Sequence, residues 1–202
     1  MLNLYIIAGH NGAGKSTFGK NLLPQNVQNL TIFDGDLVFS RKLKHFSSYI
    51  KVHKYATQEA DEATVDEFKK LSEEAIANQS DFAYEGHFSN ENSWDTIRYF
   101  RKQGYTISMI FLGLERLDLS EDRVGIRVFK GGFLVPTYAI HHNYYGNLKF
   151  LNIHHDLIDN LSIWDSSFGN PQILMVINNA QKEYQSPQLP NWFTEFLPDL
   201  IH

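Results

Sequence analysis

One stretch near the start governs what this chain can become: Leu4-Tyr5-Ile6-Ile7-Ala8-Gly9-His10-Asn11-Gly12-Ala13-Gly14-Lys15-Ser16-Thr17. An apolar run enters a glycine-rich turn, and the turn ends in Gly-Lys-Ser-Thr. The spacing fits G-x-x-x-x-G-K-[ST], the phosphate-binding P-loop pattern. Glycine at 9, 12 and 14 admits positive φ and lets the backbone approach a ligand closely. The N–H groups of such a turn, with the positive end of the helix behind them, cradle phosphate oxygens. Lys15 brings a point charge to the β and γ phosphates, and Ser16 brings a hydroxyl to Mg²⁺. The nucleotide-binding set read from the pattern is Gly9, Asn11, Gly12, Ala13, Gly14, Lys15, Ser16 and Thr17.

Bulk properties narrow the setting. At 202 residues the chain is long enough for one domain with a real core. A net charge of −5 argues against a dedicated nucleic-acid binder. With no cysteine there is no disulfide framework and no thiolate metal site. No apolar run reaches the roughly 18 residues that a membrane helix needs. Residues 1–8 read as a strand feeding the turn, not as a signal peptide, so a cytoplasmic protein is expected.

Strands and helices alternate along the chain, the pattern of an α/β fold with a mostly parallel sheet. Residues 30–33 read as a strand ending in Asp34-Gly35-Asp36. Carboxylates at the carboxyl end of a strand lie where open α/β sheets place their chemistry. Asp36 is the candidate to take a proton from an acceptor hydroxyl, Asp34 a second candidate, and helix capping is the rival explanation for either. Residues 40–49 mix basic and aromatic side chains and read either as a substrate-facing flap or as a solvated basic face. Residues 57–78 form the clearest helix. Glu85 sits at the end of a third strand, within Tyr84-Glu85-Gly86-His87-Phe88-Ser89. The strand over 105–114 carries no aspartate at its tip, which argues against a motor ATPase or switch GTPase. Arg123 and Arg127 share a helix face at i, i+4, followed by Lys130, a glycine pair and Pro136. That segment, about 119–136, reads as a mobile lid whose arginines close over a transferring phosphoryl group. Histidine pairs at 141–142 and 154–155 point to different helix faces, which speaks against a metal site. The tail reads as an amphipathic helix over about 189–201.

Together these stretches resemble the zeta-toxin family of P-loop kinases over roughly residues 1–168. The resemblance rests on Gly9–Thr17, Asp34-Gly35-Asp36, residues 84–89, and the spacing of Arg123, Arg127, Gly131-Gly132 and Val135-Pro136. Ile140–Leu148 and Trp164-Asp165-Ser166-Ser167 complete it. It implies a nucleoside-kinase-like three-layer sandwich with a helical lid, and a phosphotransferase using Mg²⁺ with ATP or GTP. It further implies a small-molecule acceptor, such as the nucleotide sugar UDP-N-acetylglucosamine, and an antitoxin-like protein partner. By the match, Lys15, Asp36, Arg123 and Arg127 are the catalytic candidates. Asp34, Glu85, Ser89 and Lys130 are the acceptor-binding candidates.

The chain departs from the family at two positions, one in the lid and one in the helix after it. Phe133 stands where the family has histidine, and Asn143 where it has an arginine before the tyrosine. Gly86 also replaces a frequent threonine. A missing arginine removes charge from the transferring phosphoryl, and Lys130 lacks arginine's fork. The leading reading is therefore a small-molecule kinase. A catalytically weakened nucleotide-binding module with a regulatory or protein-partner role is the alternative, and a polynucleotide end kinase the third.

Overall fold

The computed structural model describes residues 2–132 and 134–201. The N-terminal apolar run is strand β1 (Asn3–Gly9), buried from Leu4 onward. It reads as a run rather than an alternation because both faces of the strand are covered. β1 pairs in parallel with β3 (Phe82–Gly86) on one side and β4 (Thr106–Gly113) on the other. β2 (Ile32–Asp34) lies outside β3 and β5 (Asn160–Asp165) outside β4, both also parallel. β6 (Gln172–Asn178) and β7 (Gln181–Gln185) then extend the sheet antiparallel. The order is β2-β3-β1-β4-β5-β6-β7. The carboxyl ends of β1, β2 and β3 therefore meet at one edge, and the register sets Asp34 opposite Glu85.

The helices are α1 (Lys15–Leu22), α2 (Gly35–Ser47), α3 (His53–Ala77), α4 (Asp95–Lys102), α5 (Leu117–Phe129), α6 (Thr137–His154) and α7 (Asn191–Phe196). One core joins Leu4, Ile6 and Ile7 of β1 to Ile107, Phe111 and Leu112 of β4, Leu148 and Leu151 of α6, and Trp192 and Phe193 of α7. Among the described residues no helix is long and apolar enough to cross a membrane.

Of the two readings for residues 40–49, the flap is not what forms: residues 40–47 belong to α2, with Arg41, Lys44 and His45 exposed, and Arg41 and Lys42 both pair with Glu67 of α3 at 2.9 and 2.8 Å. Two elements differ from the sequence expectation. The tail helix spans only Asn191–Phe196. Pro198 disfavours helical geometry at Leu197, which sits at φ −124° and ψ 44°. A 3-10 turn, Pro198–Leu200, follows. Strand β7 was not expected: its five residues are all exposed and polar or amphipathic, so no alternation marks it.

Trp192 packs directly on the end of β4. A Cβ placed on Gly113 would lie 2.3 Å from the indole. Gly113→Ala should therefore cost about 1–3 kcal/mol through overpacking. Gly125, exposed inside α5 with open space around it, should gain about 0.5–1 kcal/mol on replacement by alanine. Urea denaturation of the two variants checks the contrast; a Gly113→Ala midpoint equal to wild type would refute the packing account.

Candidate active site

The P-loop closes between β1 and α1 through steric demands that only glycine meets. Gly9 has φ 140°, and a Cβ there would sit 2.2 Å from the Leu112 carbonyl oxygen of β4. Gly12 has φ 72°, and its Cβ would fall 2.8 Å from Arg123 Cβ. α5 thus crosses hard against the loop. It is latched there, because buried Ser120 Oγ donates to the Asn11 carbonyl at 2.5 Å. Gly14, at φ 85°, opens α1. Ala13 is fully buried, while Ser16 and Thr17 are exposed at the mouth.

Lys15 folds back over the loop and donates to the carbonyls of Gly9 and His10, both at 3.1 Å. Burial lowers its pKa, and the charges of Asp36, Glu85 and Asp34 oppose that shift. Asp34 caps α2: its Oδ1 accepts from Leu37 N–H at 3.0 Å. Asp36 follows in the first turn of α2, exposed to the cleft. Ser16 Oγ donates to Glu85 Oε2 at 3.0 Å and lies 3.5 Å from Asp34 Oδ2. Burial raises the pKa of Glu85, and the Asp34 charge adds to the rise, while Lys15 and the Ser16 hydroxyl oppose it.

A cleft of about 540 Å³ opens over the loop, lined among others by Lys15, Ser16, Asp36, Glu85, Arg127 and Lys130. A smaller cavity of about 200 Å³ adjoins it, sharing Lys15, Asp36 and Glu85 and adding Asp34, Gly86 and His87. The two arginines sit differently. Arg123 lines the cleft, but its guanidinium is bound to main chain: Nη1 donates to Gly12 O at 3.3 Å, and Nη2 to Ser166 O and Ser167 O at 2.8 Å. Arg127 lies close enough to Lys15 for its charge to depress the lysine's pKa.

Other named residues lie off the cavities. Ser89 is buried and donates to Asn143 Oδ1 at 2.8 Å. Asn143 donates from Nδ2 to Asn11 Oδ1 at 2.9 Å. Phe133 lies outside the described residues. His141 and His154 bond Glu121 and Glu91 at 2.8 and 2.9 Å. Among the described residues, no group of three or more potential metal-ligating side chains forms.

Sequence reasoning missed the polar layer beneath the loop. It joins Asn11, His87, Asn143, Ser89 and Asn147, whose Oδ1 accepts from Phe88 N–H at 2.7 Å. Gly146 lets α6 approach it: a Cβ there would lie 2.4 Å from Ser89 O. His10 is fully buried in the same layer, stacked on Tyr144 with centroids 4.3 Å apart. No spacing in the sequence marks these residues as partners.

A family model described as Zeta toxin matches residues 3–155. No curated protein sequence matches the chain. Among solved structures, the AvrRxo1-ORF1:-ORF2 complex with ATP is similar at a TM-score of 0.67 and 13% identity. That match covers 98% of this chain but 64% of the other, so this chain spans less than two thirds of its length. The PezAT chromosomal toxin–antitoxin system of Streptococcus pneumoniae gives a TM-score of 0.65 at 14% identity, covering 97% of this chain and 78% of the other. The shared architecture is the P-loop kinase-like fold, a mostly parallel sheet flanked by helices.

The buried His10 has a measurable consequence. Burial, reinforced by Lys15, lowers its pKa to about 3. In the unfolded chain it takes a proton near pH 6.5, while in the fold it stays neutral, so stability falls as pH drops from about 6.5 toward 3. The slope from this one proton is about 1.4 kcal/mol per pH unit. His10→Phe keeps a ring against Tyr144 and should flatten the acid limb of unfolding free energy against pH by that amount; an unchanged limb would refute the assignment.

Proposed function

The chain belongs to the zeta toxin family, and from that premise we propose that it is a phosphotransferase moving the γ-phosphoryl of ATP or GTP to a hydroxyl of a small molecule. A nucleotide sugar such as UDP-N-acetylglucosamine is the proposed acceptor class, an antitoxin-like protein the proposed partner, and the cytoplasm the proposed setting. The observation that carries this reading is the convergence of Lys15, Ser16, Asp34, Asp36 and Glu85 on two adjoining cavities at one sheet edge.

The donor phosphates occupy the larger cleft, held by the N–H groups of the loop. Lys15 exchanges its bonds to Gly9 and His10 for phosphate oxygens. The all-oxygen set around Ser16, with Asp34 and Glu85 beside it, suits a hard cation such as Mg²⁺, which Ser16 would hold. When bound, Mg²⁺ neutralises charge on the β and γ phosphate oxygens. The acceptor hydroxyl lies in the smaller cavity. Its oxygen forms a bond to the γ-phosphorus, the bond from that phosphorus to the β–γ bridging oxygen breaks, and the hydroxyl proton passes to the Asp36 carboxylate. Glu85 orients the acceptor, with Asp34 beside it. Arg127 and Lys130, on the same cleft, stabilise the transferring charge. Arg123 ties the loop to residues 166–167 and keeps α5 seated over it.

One observation favours a binding-only module: α6 contains no arginine, and Asn143 bonds Asn11 and Ser89 rather than facing the cleft. Incubation with Mg²⁺–ATP and nucleotide sugars, read by mass spectrometry, separates the two. Transfer predicts a phosphorylated sugar nucleotide, with kcat lowered about 10²–10⁴-fold in Asp36→Asn and ATP affinity unchanged. Normal ATP binding with no phosphorylated product would sink the kinase reading.

Glu85 adds a second prediction. Its folded pKa is raised, so ionising it costs stability, and that stability is lost as pH rises through the carboxylate range. Glu85→Gln should raise the melting temperature at pH 7 while lowering transfer. A variant less stable than wild type would show that the carboxylate is structural.

A further inference from the structure

One stretch of the sequence has no task in phosphoryl transfer. From Leu37 to Gln58 the chain carries Arg41, Lys42, Lys44, Lys51 and Lys54 and no aspartate or glutamate, within a protein of net charge −5. In the fold it becomes a helical hairpin. α2 starts at the cleft with Asp36 and extends for about 20 Å. α3 returns after a short connection over 48–52, and residues 44–55 line neither cavity at the P-loop. Arg41 and Lys42 are committed to Glu67, which ties α2 to α3. Lys44, Lys51 and Lys54 are exposed and pair with no carboxylate among the described residues.

Apolar surface is interleaved with these lysines. Tyr49, Val52 and Tyr55 are 55%, 52% and 57% exposed, so little of each contributes to the core. The tip that holds them is braced. The N–H groups of Ser48, Tyr49 and Ile50 donate to the carbonyls of His45, Phe46 and Phe46 at 3.1, 3.2 and 2.8 Å. The Tyr49 ring packs edge-on against His45 and Phe46, with centroids 5.5 and 5.9 Å apart. A ring already held in one orientation loses little entropy when a partner covers it. The charge pattern then selects the kind of partner. Glu59, Asp61 and Glu62 lie exposed on α3, beginning only about 8 Å along the axis from Lys54. A nucleic acid or an anionic bilayer brings one sign of charge over a long stretch and meets these carboxylates as well as the lysines. A protein surface can set acidic groups against the lysines alone and apolar groups against the rings.

We propose that the tip of the α2–α3 hairpin, residues 44–55, docks a protein partner through an acidic, apolar segment of that partner. Tyr49, Val52 and Tyr55 form the contact that excludes water. Lys44, Lys51 and Lys54 surround it and steer association. The proposal stands independently of the transfer reading, because none of these side chains lines either cavity.

Amide ¹H–¹⁵N NMR of the full chain locates binding directly. The probe is a synthetic dodecapeptide with glutamates interleaved with leucine and phenylalanine. Its controls are the same peptide with glutamine for glutamate, a single-stranded dodecanucleotide RNA, and vesicles of mixed phosphatidylserine and phosphatidylcholine. The acidic peptide should shift the signals of residues 44–55, less so at high salt, and the glutamine peptide should bind at least about tenfold more weakly. The triple variant Lys44→Gln, Lys51→Gln, Lys54→Gln should raise the peptide Kd at least about tenfold, and so should the double variant Tyr49→Ser, Tyr55→Ser. ATP affinity should stay unchanged in both, which shows that the fold is intact. No shifts, shifts confined to other residues, or a Kd that neither variant moves overturns the proposal. Tighter binding of the RNA or the vesicles than of the acidic peptide at residues 44–55 overturns it as well, in favour of a nucleic-acid or lipid surface.

Discussion

The site depends on backbone packed against backbone where β1 leaves the sheet. Gly9 lies so close to the Leu112 carbonyl that no side chain fits, and the turn that follows is pressed under α5 at Gly12. Ser120 and Arg123 then bond the carbonyls of Asn11 and Gly12. Arg123 reaches on to Ser166 and Ser167, which follow β5. Three segments distant in sequence are thereby locked around one cleft. The helix that carries Arg127 has its base fixed by these bonds, and the exposed stretch beyond it, through Lys130 to Gly132, lines the cleft.

Charge around that concavity is arranged in opposition. Burial weakens the hold of Lys15 on its proton, and the charges of three carboxylates oppose that effect. Glu85 experiences the converse: burial and Asp34 raise its pKa, and Lys15 and Ser16 resist. Lys15 and Glu85 each favour the charged form of the other. Beneath them lies a layer of neutral polar side chains and an uncharged, stacked His10, so the field at the cleft is set by the residues lining it.

Legibility followed the physics of each part. The P-loop and the buried strands were readable because apolar runs and obligatory glycines are local signals. The adjacency of Asp34 and Glu85 was half-readable: each ends a strand, but only the parallel register of β2 on β3 puts them together. Asp34 turned out to cap α2 as well as face Ser16. Strand β7 was invisible, since an exposed polar edge carries no alternation. The tail helix ends short of the periodic apolar pattern because Pro198 disfavours helical geometry at Leu197. The layer of Asn11, His87, Asn143 and Asn147 had no signature: the four come from the P-loop, the turn after β3 and α6, and meet only through the tertiary fold. Departure from the family at Asn143 was visible, but its hydrogen-bonding consequence was not.

The central claim is a direct, in-line transfer from a nucleotide on the P-loop to a hydroxyl in the adjoining cavity, with Asp36 taking a proton and never becoming phosphorylated. Its sharpest test is the stereochemistry at phosphorus, followed with ATP made chiral at the γ position by sulfur and oxygen isotopes. A single in-line displacement predicts inversion in the phosphorylated acceptor. Retention would require a phosphorylated protein side chain between two displacements and would contradict the account.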